Sequence, residues 1–269
     1  MKYIASKSVT QDILQKYNIV AKKKYGQNFI IDPNIIHNIV KSANIDKDTC
    51  VIEIGPGIGA LTQIISMSAK KVLCYEIDER FFSVYETYLN ANNIEFQCCD
   101  FLSIDIYKVI EQCKAQYQKV IVVANLPYYI TTAIIEKIIL SNCNIDAMVI
   151  MVQKEFALKI TGQHRNPLSI ILESMSDVSY EFTVPKQVFL PAPHVDSAII
   201  KIQKRKDVDL KLYQLVKTAF TQRRKTIFNN LKTVYPNTEE MLEKCQIEKH
   251  KRSEQLELID FLRLTEQIS

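Results

Sequence analysis

The sequence predicts an α/β fold, a largely parallel sheet with covering helices, followed by a small helical domain. Three observations carry this. Short β-branched runs alternate with longer stretches of helical spacing through the first two-thirds of the chain. Four of those runs end at a polar or glycine-rich sequence, the place where ligands bind in open α/β sheets. Beyond residue 205 the β-branched runs stop and the apolar spacing becomes helical throughout.

The elements follow in order. Val51-Ile52-Glu53-Ile54 ends at Gly55-Pro56-Gly57, after which Leu61, Ile64 and Ile65 keep helical spacing. Val72-Leu73-Cys74-Tyr75 ends at Glu76 and leads into a helix-like run from Glu79 to Asn90. Ile94–Cys98 ends at Asp100, Val120–Ala124 at Asn125-Leu126-Pro127-Tyr128, and Ala147–Val152 at Gln153. Buried strands separated by helices read as βαβ units on a parallel sheet. Tyr180–Val184 and Ala198–Ile202 bracket Phe189-Leu190-Pro191-Ala192-Pro193 and read as an antiparallel pair finishing the sheet. Leu212, Leu215, Val216, Ala219 and Phe220 then share a helix face, and Glu239–Cys245 and Glu254–Glu266 are also helix-like. The expected division is 1–204 and 205–269.

A chain of 269 residues, 47% hydrophobic and 24% charged, is an ordinary globular composition, which excludes disordered, coiled-coil and collagen-like classes. The longest apolar run, Ala147–Val152, is strand-sized, and the first residues carry no signal-peptide core. Seven cysteines without a CxxC pair form neither a disulfide framework nor a zinc site, so a reducing cytoplasm is expected. Charge is divided unevenly. Residues 1–200 hold 19 Lys/Arg against 20 Asp/Glu, whereas 201–269 hold 15 against 10. A basic C-terminal quarter suits a polyanionic partner, although a solvated lysine-rich surface gives the same count. Lys22-Lys23-Lys24 forms a second basic run.

Three of the five glycines are Gly55, Gly57 and Gly59, at a strand-to-helix junction. Such a loop lets a ligand approach backbone amides at a helix N-terminus, and Glu76, 21 positions after Gly55, is placed to accept two ribose hydroxyls. The same loop also fits the dinucleotide pattern GxGxxA, and a tight turn without ligand needs glycine too. Glu53 and a third polar strand end, Asp100, favour a compact adenosine ligand, S-adenosylmethionine (SAM), over a dinucleotide. Asp100 can equally cap a following turn.

Asn125-Leu126-Pro127-Tyr128 is the most specific short motif. An exocyclic adenine amine is a poor nucleophile because its lone pair is delocalised into the ring. The Asn125 side-chain oxygen and the Leu126 carbonyl offer two acceptors to draw that nitrogen toward tetrahedral geometry, and Pro127 fixes the turn without donating. Tyr128 can stack on the base, worth about 1–3 kcal/mol. Positioning supplies much of such a rate, with neither metal nor strong base required. A plain strand-ending turn is the competing reading. Phe189 offers a second aromatic for the base, or an aromatic plug for the core. Nothing in the sequence forms a nucleophile–base–acid set, and the four histidines are scattered.

Several motifs in order carry a resemblance: Gly26-Gln27-Asn28-Phe29-Ile30-Ile31-Asp32, Glu53-Ile54-Gly55-Pro56-Gly57, Asn125-Leu126-Pro127-Tyr128, Gln153-Lys154-Glu155, Val188–Ser197 and Ala219-Phe220-Thr221-Gln222-Arg223-Arg224-Lys225. From about Ile13 to the C-terminus the chain resembles the KsgA/RsmA family of small-subunit rRNA adenine dimethyltransferases. The resemblance implies a Rossmann-like class I SAM-dependent methyltransferase domain, with a mostly parallel seven-stranded sheet, and a small all-α C-terminal domain. It implies N6,N6-dimethylation of two adjacent adenosines near the 3′ end of 16S rRNA on a late small-subunit precursor. SAM contacts would fall on Asn28, Ile30, Gly55, Gly57, Glu76, Asp100 and Asn125, with a segment of about 20–45 folded over the cofactor's methionine end. Asn125 would also hold the target amine, with Leu126 and Pro127 beside it and Tyr128 and Phe189 stacking. Lys22, Lys23, Lys24, Arg223, Arg224 and Lys225 would face rRNA phosphate. No metal is implied, and nothing demands more than a monomer. Ala192 and His194 stand where proline and lysine are usual in the family. The competing readings are the related 23S rRNA methyltransferase of the macrolide-resistance type and a non-catalytic ribosome assembly factor. Leu126 and the Gln222–Lys225 segment favour the small-subunit enzyme.

Overall fold

The computed structural model describes residues 2–22, 25–162 and 165–268. In chain order the elements are α1 (Lys7–Lys16), β1 (Phe29–Ile30), α2 (Pro33–Ser42), β2 (Thr49–Ile54), α3 (Ala60–Ser68), β3 (Lys71–Glu76), α4 (Phe82–Tyr88) and β4 (Ile94–Cys98). Then come α5 (Ile106–Lys114), β5 (Lys119–Asn125), α6 (Thr131–Leu140), β6 (Ala147–Gln153), α7 (Lys154–Thr161), α8 (Pro167–Met175), β7 (Ser176–Val184), β8 (Phe189–Leu190) and β9 (Ser197–Lys204). Last are α9 (Leu210–Ala219), α10 (Ile227–Leu231), α11 (Thr238–Lys244) and α12 (Leu258–Glu266). The chain divides into two compact units, Met1–Ala157 with Ser179–Gln203, and Leu158–Val178 with Lys204–Ser269.

The first unit is built on a seven-stranded sheet of order β4-β3-β2-β5-β6-β9-β7. The pairs β4–β3, β3–β2, β2–β5 and β5–β6 are parallel, and β9 runs antiparallel to β6. Every residue of β2 is buried, as a central strand covered on both faces requires, and this is why it reads as an unbroken β-branched run. Ile52, fully buried, is worth about 1.5–3 kcal/mol of transfer free energy. Chain direction through the sheet reverses at β2, which pairs β3 on one side and β5 on the other. The loops leaving β2 and β5 therefore open a crevice at their carboxyl ends. A separate two-stranded pair, β1 with β8, sets Phe29 opposite Leu190 and Ile30 opposite Phe189.

The Glu79–Asn90 run resolves into a 3₁₀ turn at Glu79–Phe81, started by the Asp78 carboxylate accepting from the Arg80 amide, and then α4. The expected helix Glu254–Glu266 is shorter. A 3₁₀ turn occupies Ser253–Gln255, and α12 begins after Glu257, whose amide donates to Asp260 Oδ2 at 2.9 Å.

In the second unit α8 packs on α9 and α12, and α9 on α10. This is why residues 158–178, within the expected first domain, group with the C-terminal helices. Asp209 caps α9 by accepting from the amides of Lys211 and Leu212. Leu212, Leu215, Val216, Leu256, Phe261 and Leu264 form the core of this unit. At the other end of α9, Asn230 Nδ2 donates to the carbonyls of Ala219 (2.6 Å) and Gln222 (3.2 Å), fixing the start of the turn that carries Arg223–Lys225.

Candidate active site

A cavity of about 240 Å³ opens at the carboxyl ends of β2, β3, β4 and β5. The glycine loop forms its floor. Gly57 has φ +59°, and a Cβ there would sit 3.5 Å from the Phe29 ring. Gly59 caps α3 at φ +84°, where a Cβ would come within 2.3 Å of Leu89 Cδ1. Both positions need the left-handed backbone that glycine adopts without strain, and at Gly59 an added Cβ would also have to displace the Leu89 side chain. The loop is held from both sides: the Gly57 amide donates to Glu76 Oε2 at 3.0 Å, and its carbonyl accepts from Tyr85 Oη at 2.7 Å. Tyr85 is itself stacked on Phe96 with centroids 4.0 Å apart.

Glu76, at the end of β3, is buried, and its second oxygen accepts from the Asp78 amide at 2.8 Å. Burial pushes its carboxyl above the ordinary range, and the backbone donors oppose that. Each oxygen keeps a lone pair for a further donor. Glu53 is buried deeper, with Cys74 Sγ 3.6 Å from Oε2, and desolvation pushes its carboxyl up to about 7. Asp100 both lines the cavity and caps the following 3₁₀ turn, accepting from the Leu102 amide at 2.8 Å, so the two readings of that residue coexist.

Asn125 ends β5 half-buried, and its Nδ2 donates to the Asn28 carbonyl at 3.3 Å. This commits the nitrogen and leaves Oδ1 as the acceptor. Leu126 is buried, its amide donating to the Met151 carbonyl at 3.3 Å, and among the described residues no donor engages its own carbonyl. Pro127 lines the cavity against Gly26. From the N-terminal side Gly26, Gln27, Asn28 and Ile30 close the wall.

The structure thus gathers Asn28, Ile30, Gly55, Gly57, Glu76, Asp100, Asn125 and Pro127 around one cavity. Tyr128 and Phe189 are outside its lining. Tyr128 is half-buried, with its hydroxyl 2.8 Å from Ser197 Oγ. Phe189, expected to stack on a base, is buried in the core opposite Ile30, because β8 pairs with β1 and turns its ring inward. Tyr129, 63% exposed and one position beyond the motif, does line the cavity, together with Tyr25, Phe29, Tyr75, Phe81 and Phe101.

Of the expected RNA-facing residues, Lys22 has its ammonium 3.4 Å from the buried Asp78 carboxylate. Lys23 and Lys24 lie outside the described residues. Arg223, Arg224 and Lys225 are exposed on the second unit, and among the described residues no carboxylate pairs with them. Sequence reasoning missed Asp78, Arg80 and Tyr85. The spacing Glu76-x-Asp78-x-Arg80 was visible, but nothing local says that it reaches another segment. Among the described residues no His/Cys/Asp/Glu group is placed to hold a metal, and no helix is long and apolar enough to cross a membrane.

Numbered in chain order, the seven sheet strands run 3-2-1-4-5-7-6, and with the glycine loop and the strand-end carboxylate they define a class I methyltransferase. The chain belongs to the ribosomal RNA adenine dimethylase family, whose model matches residues 18–269. It is 41% identical, over 98% of its length and 97% of the relative's, to ribosomal RNA small subunit methyltransferase A of Lysinibacillus sphaericus. Among solved structures it resembles a dimethyladenosine transferase from Plasmodium falciparum, with TM-score 0.71, 26% identity and coverage of 87% of this chain and 95% of that one. It also resembles the 23S rRNA methyltransferase ErmE, with TM-score 0.67, 28% identity and coverage of 89% and 98%.

Proposed function

We propose that this chain dimethylates the N6 amines of two adjacent adenosines in the 3′-terminal hairpin of 16S rRNA, using SAM, during small-subunit biogenesis in the cytoplasm. One observation carries the reading: Asn125 spends its side-chain nitrogen on the Asn28 carbonyl, which leaves its oxygen, with the carbonyl of the next residue Leu126, as acceptors for an adenine amine.

The cavity fits the cofactor by its own chemistry. Glu76 is held by two backbone donors with acceptor capacity left for the ribose hydroxyls, and Asp100 accepts from a base amine. Gly55 and Gly57 let the ligand come close to the backbone, while Asn28 and Ile30 cover it. SAM supplies an electrophilic methyl sulfonium. The chain's own part is to hold the amine in line. Asn125 Oδ1 and the Leu126 carbonyl each accept a hydrogen bond from an N6–H, localising the nitrogen lone pair, and Pro127 offers no competing donor. Tyr128, its hydroxyl fixed by Ser197, is the stacking residue once the base has left its helix. Phe189, buried behind Ile30, seats β1 instead. Exposed Arg223, Arg224 and Lys225 meet rRNA phosphate, residues 205–269 being the RNA-contacting part and the monomer the working form.

The 23S reading is less favoured, since the 41% identical relative is named for the small subunit and the 23S enzyme is 28% identical. The test is transfer of labelled methyl from SAM to unmodified small subunits, with large subunits in parallel. Label on two adjacent adenosines of the 16S 3′ hairpin is expected. Label on 23S rRNA, or subunit binding without label, overturns the reading.

A further inference from the structure

Asp78 is a charged residue only 3% exposed, just beyond the strand end that carries Glu76. A buried carboxylate is costly unless fully partnered, and this one is over-supplied. Arg80 meets it twice, Nη2 to Oδ2 at 2.6 Å and Nε to Oδ1 at 2.9 Å, a fork that lysine does not reproduce. Its other two side-chain donors come from far away in sequence. Gln27 Nε2 donates to Oδ2 at 2.9 Å across 51 positions, and Lys22 Nζ lies 3.4 Å from Oδ1 across 56. Arg80 reaches back to the same segment, Nη1 to the Val20 carbonyl at 3.2 Å and Nη2 to Gln27 Oε1 at 3.4 Å. Gln27 Oε1 also accepts from the Lys22 amide at 2.8 Å, so one glutamine side chain ties the segment to itself and to Asp78.

A pair that only stabilised the turn after β3 needs no partner from residues 20–27. The next residues, Gln27 to Ile30, line the cavity, and the Asp78 amide is bonded to the carboxylate of Glu76, which lines it too.

We infer that Asp78 and Arg80 are positioning residues that latch the N-terminal segment over the cavity through Gln27 and Lys22, and thereby set cofactor affinity. The cofactor named here rests on the SAM reading above; the latch itself does not.

The test uses the full chain with Asp78→Asn, near-isosteric but without the charge, and Gln27→Ala, which leaves the Asp78–Arg80 pair intact. In ligand-free protein, amide exchange over residues 25–30 is expected to accelerate about tenfold in both, with the melting transition of the rest of the sheet retained. In Asp78→Asn, whose side chain is not part of the cavity lining, the KM for SAM is expected to rise about tenfold with kcat within twofold of wild type. Adding Gln27→Ala to Asp78→Asn should change little more, since both act through one latch. Unchanged exchange in Gln27→Ala, or loss of kcat with KM unmoved, overturns the proposal. Accelerated exchange alongside a wild type that transfers no methyl supports the latch and sinks the SAM reading instead.

Discussion

Asn125 Nδ2 and the Asn28 carbonyl, 3.3 Å apart, join residues 97 positions distant and bring the end of β5 against the segment that walls the cavity. The same bond orients the Asn125 oxygen. One contact therefore links cofactor enclosure to the geometry of the proposed amine acceptor, and replacements at this position separate the two.

Asn125→Ala removes both functions. We expect kcat for methyl transfer to fall at least about 100-fold, the scale on which a preorganised polar contact to the reacting group acts, with rRNA binding retained. Asn125→Asp keeps an acceptor but faces the Asn28 carbonyl without a donor, so its first effect is a raised KM for SAM. Steady-state kinetics on unmodified subunits distinguish them.

Glu53 gives a pH signature. Its carboxyl, held at about 7 by burial, keeps a proton in the folded chain that it loses near 4.5 when unfolded. The folded state therefore binds more protons between those values, and this group's contribution to stability falls as pH rises from about 4.5 to 7. Glu53→Gln removes the charge that is costly to bury. It should be more stable than wild type at pH 8 by about 1–3 kcal/mol and indistinguishable near pH 4.5, as read by denaturant unfolding at both pH values. A gain that is the same at both would contradict the assignment.

Gly59→Ala tests the loop. The left-handed φ of +84° costs a non-glycine residue about 1–2 kcal/mol, and the new methyl must also displace the Leu89 side chain. Chemical denaturation should show a loss of that size or more, and Leu89→Ala should relieve only the part due to the clash.

Tyr85→Phe keeps the ring stacked on Phe96 and deletes the bond to the Gly57 carbonyl. A loss of about 1 kcal/mol in SAM binding, measured calorimetrically, is expected from loosening the loop floor. Equal affinity would show that Glu76 alone holds it.

Arg223→Ala with Arg224→Ala should weaken subunit binding and lower the slope of log affinity against log salt by about 2, leaving SAM affinity unchanged. An unaltered slope would place the phosphate contacts elsewhere.

What the sequence by itself determined was whatever a local pattern enforces. The β-branched runs became β2, β5 and β6 because a strand covered on both faces must be apolar along nearly its whole length. Gly57, Glu76 and Asn125 were legible because each sits where such a run stops, and topology sends those stops to one edge of the sheet. The tertiary structure alone decided the rest. Phe189 looked as apt for a base as for the core until the pairing of β8 with β1 buried it. Residues 158–178 joined the C-terminal helices because α8 finds its packing partners there. Lys22 looked like a cation for rRNA phosphate, and Asp78 carried no reading at all, until the fold set them against each other across more than fifty positions. Contacts between residues so far apart leave no period or spacing in the chain; only the folded sheet, with its N-terminal segment against the strand ends, brings these charges within bonding distance.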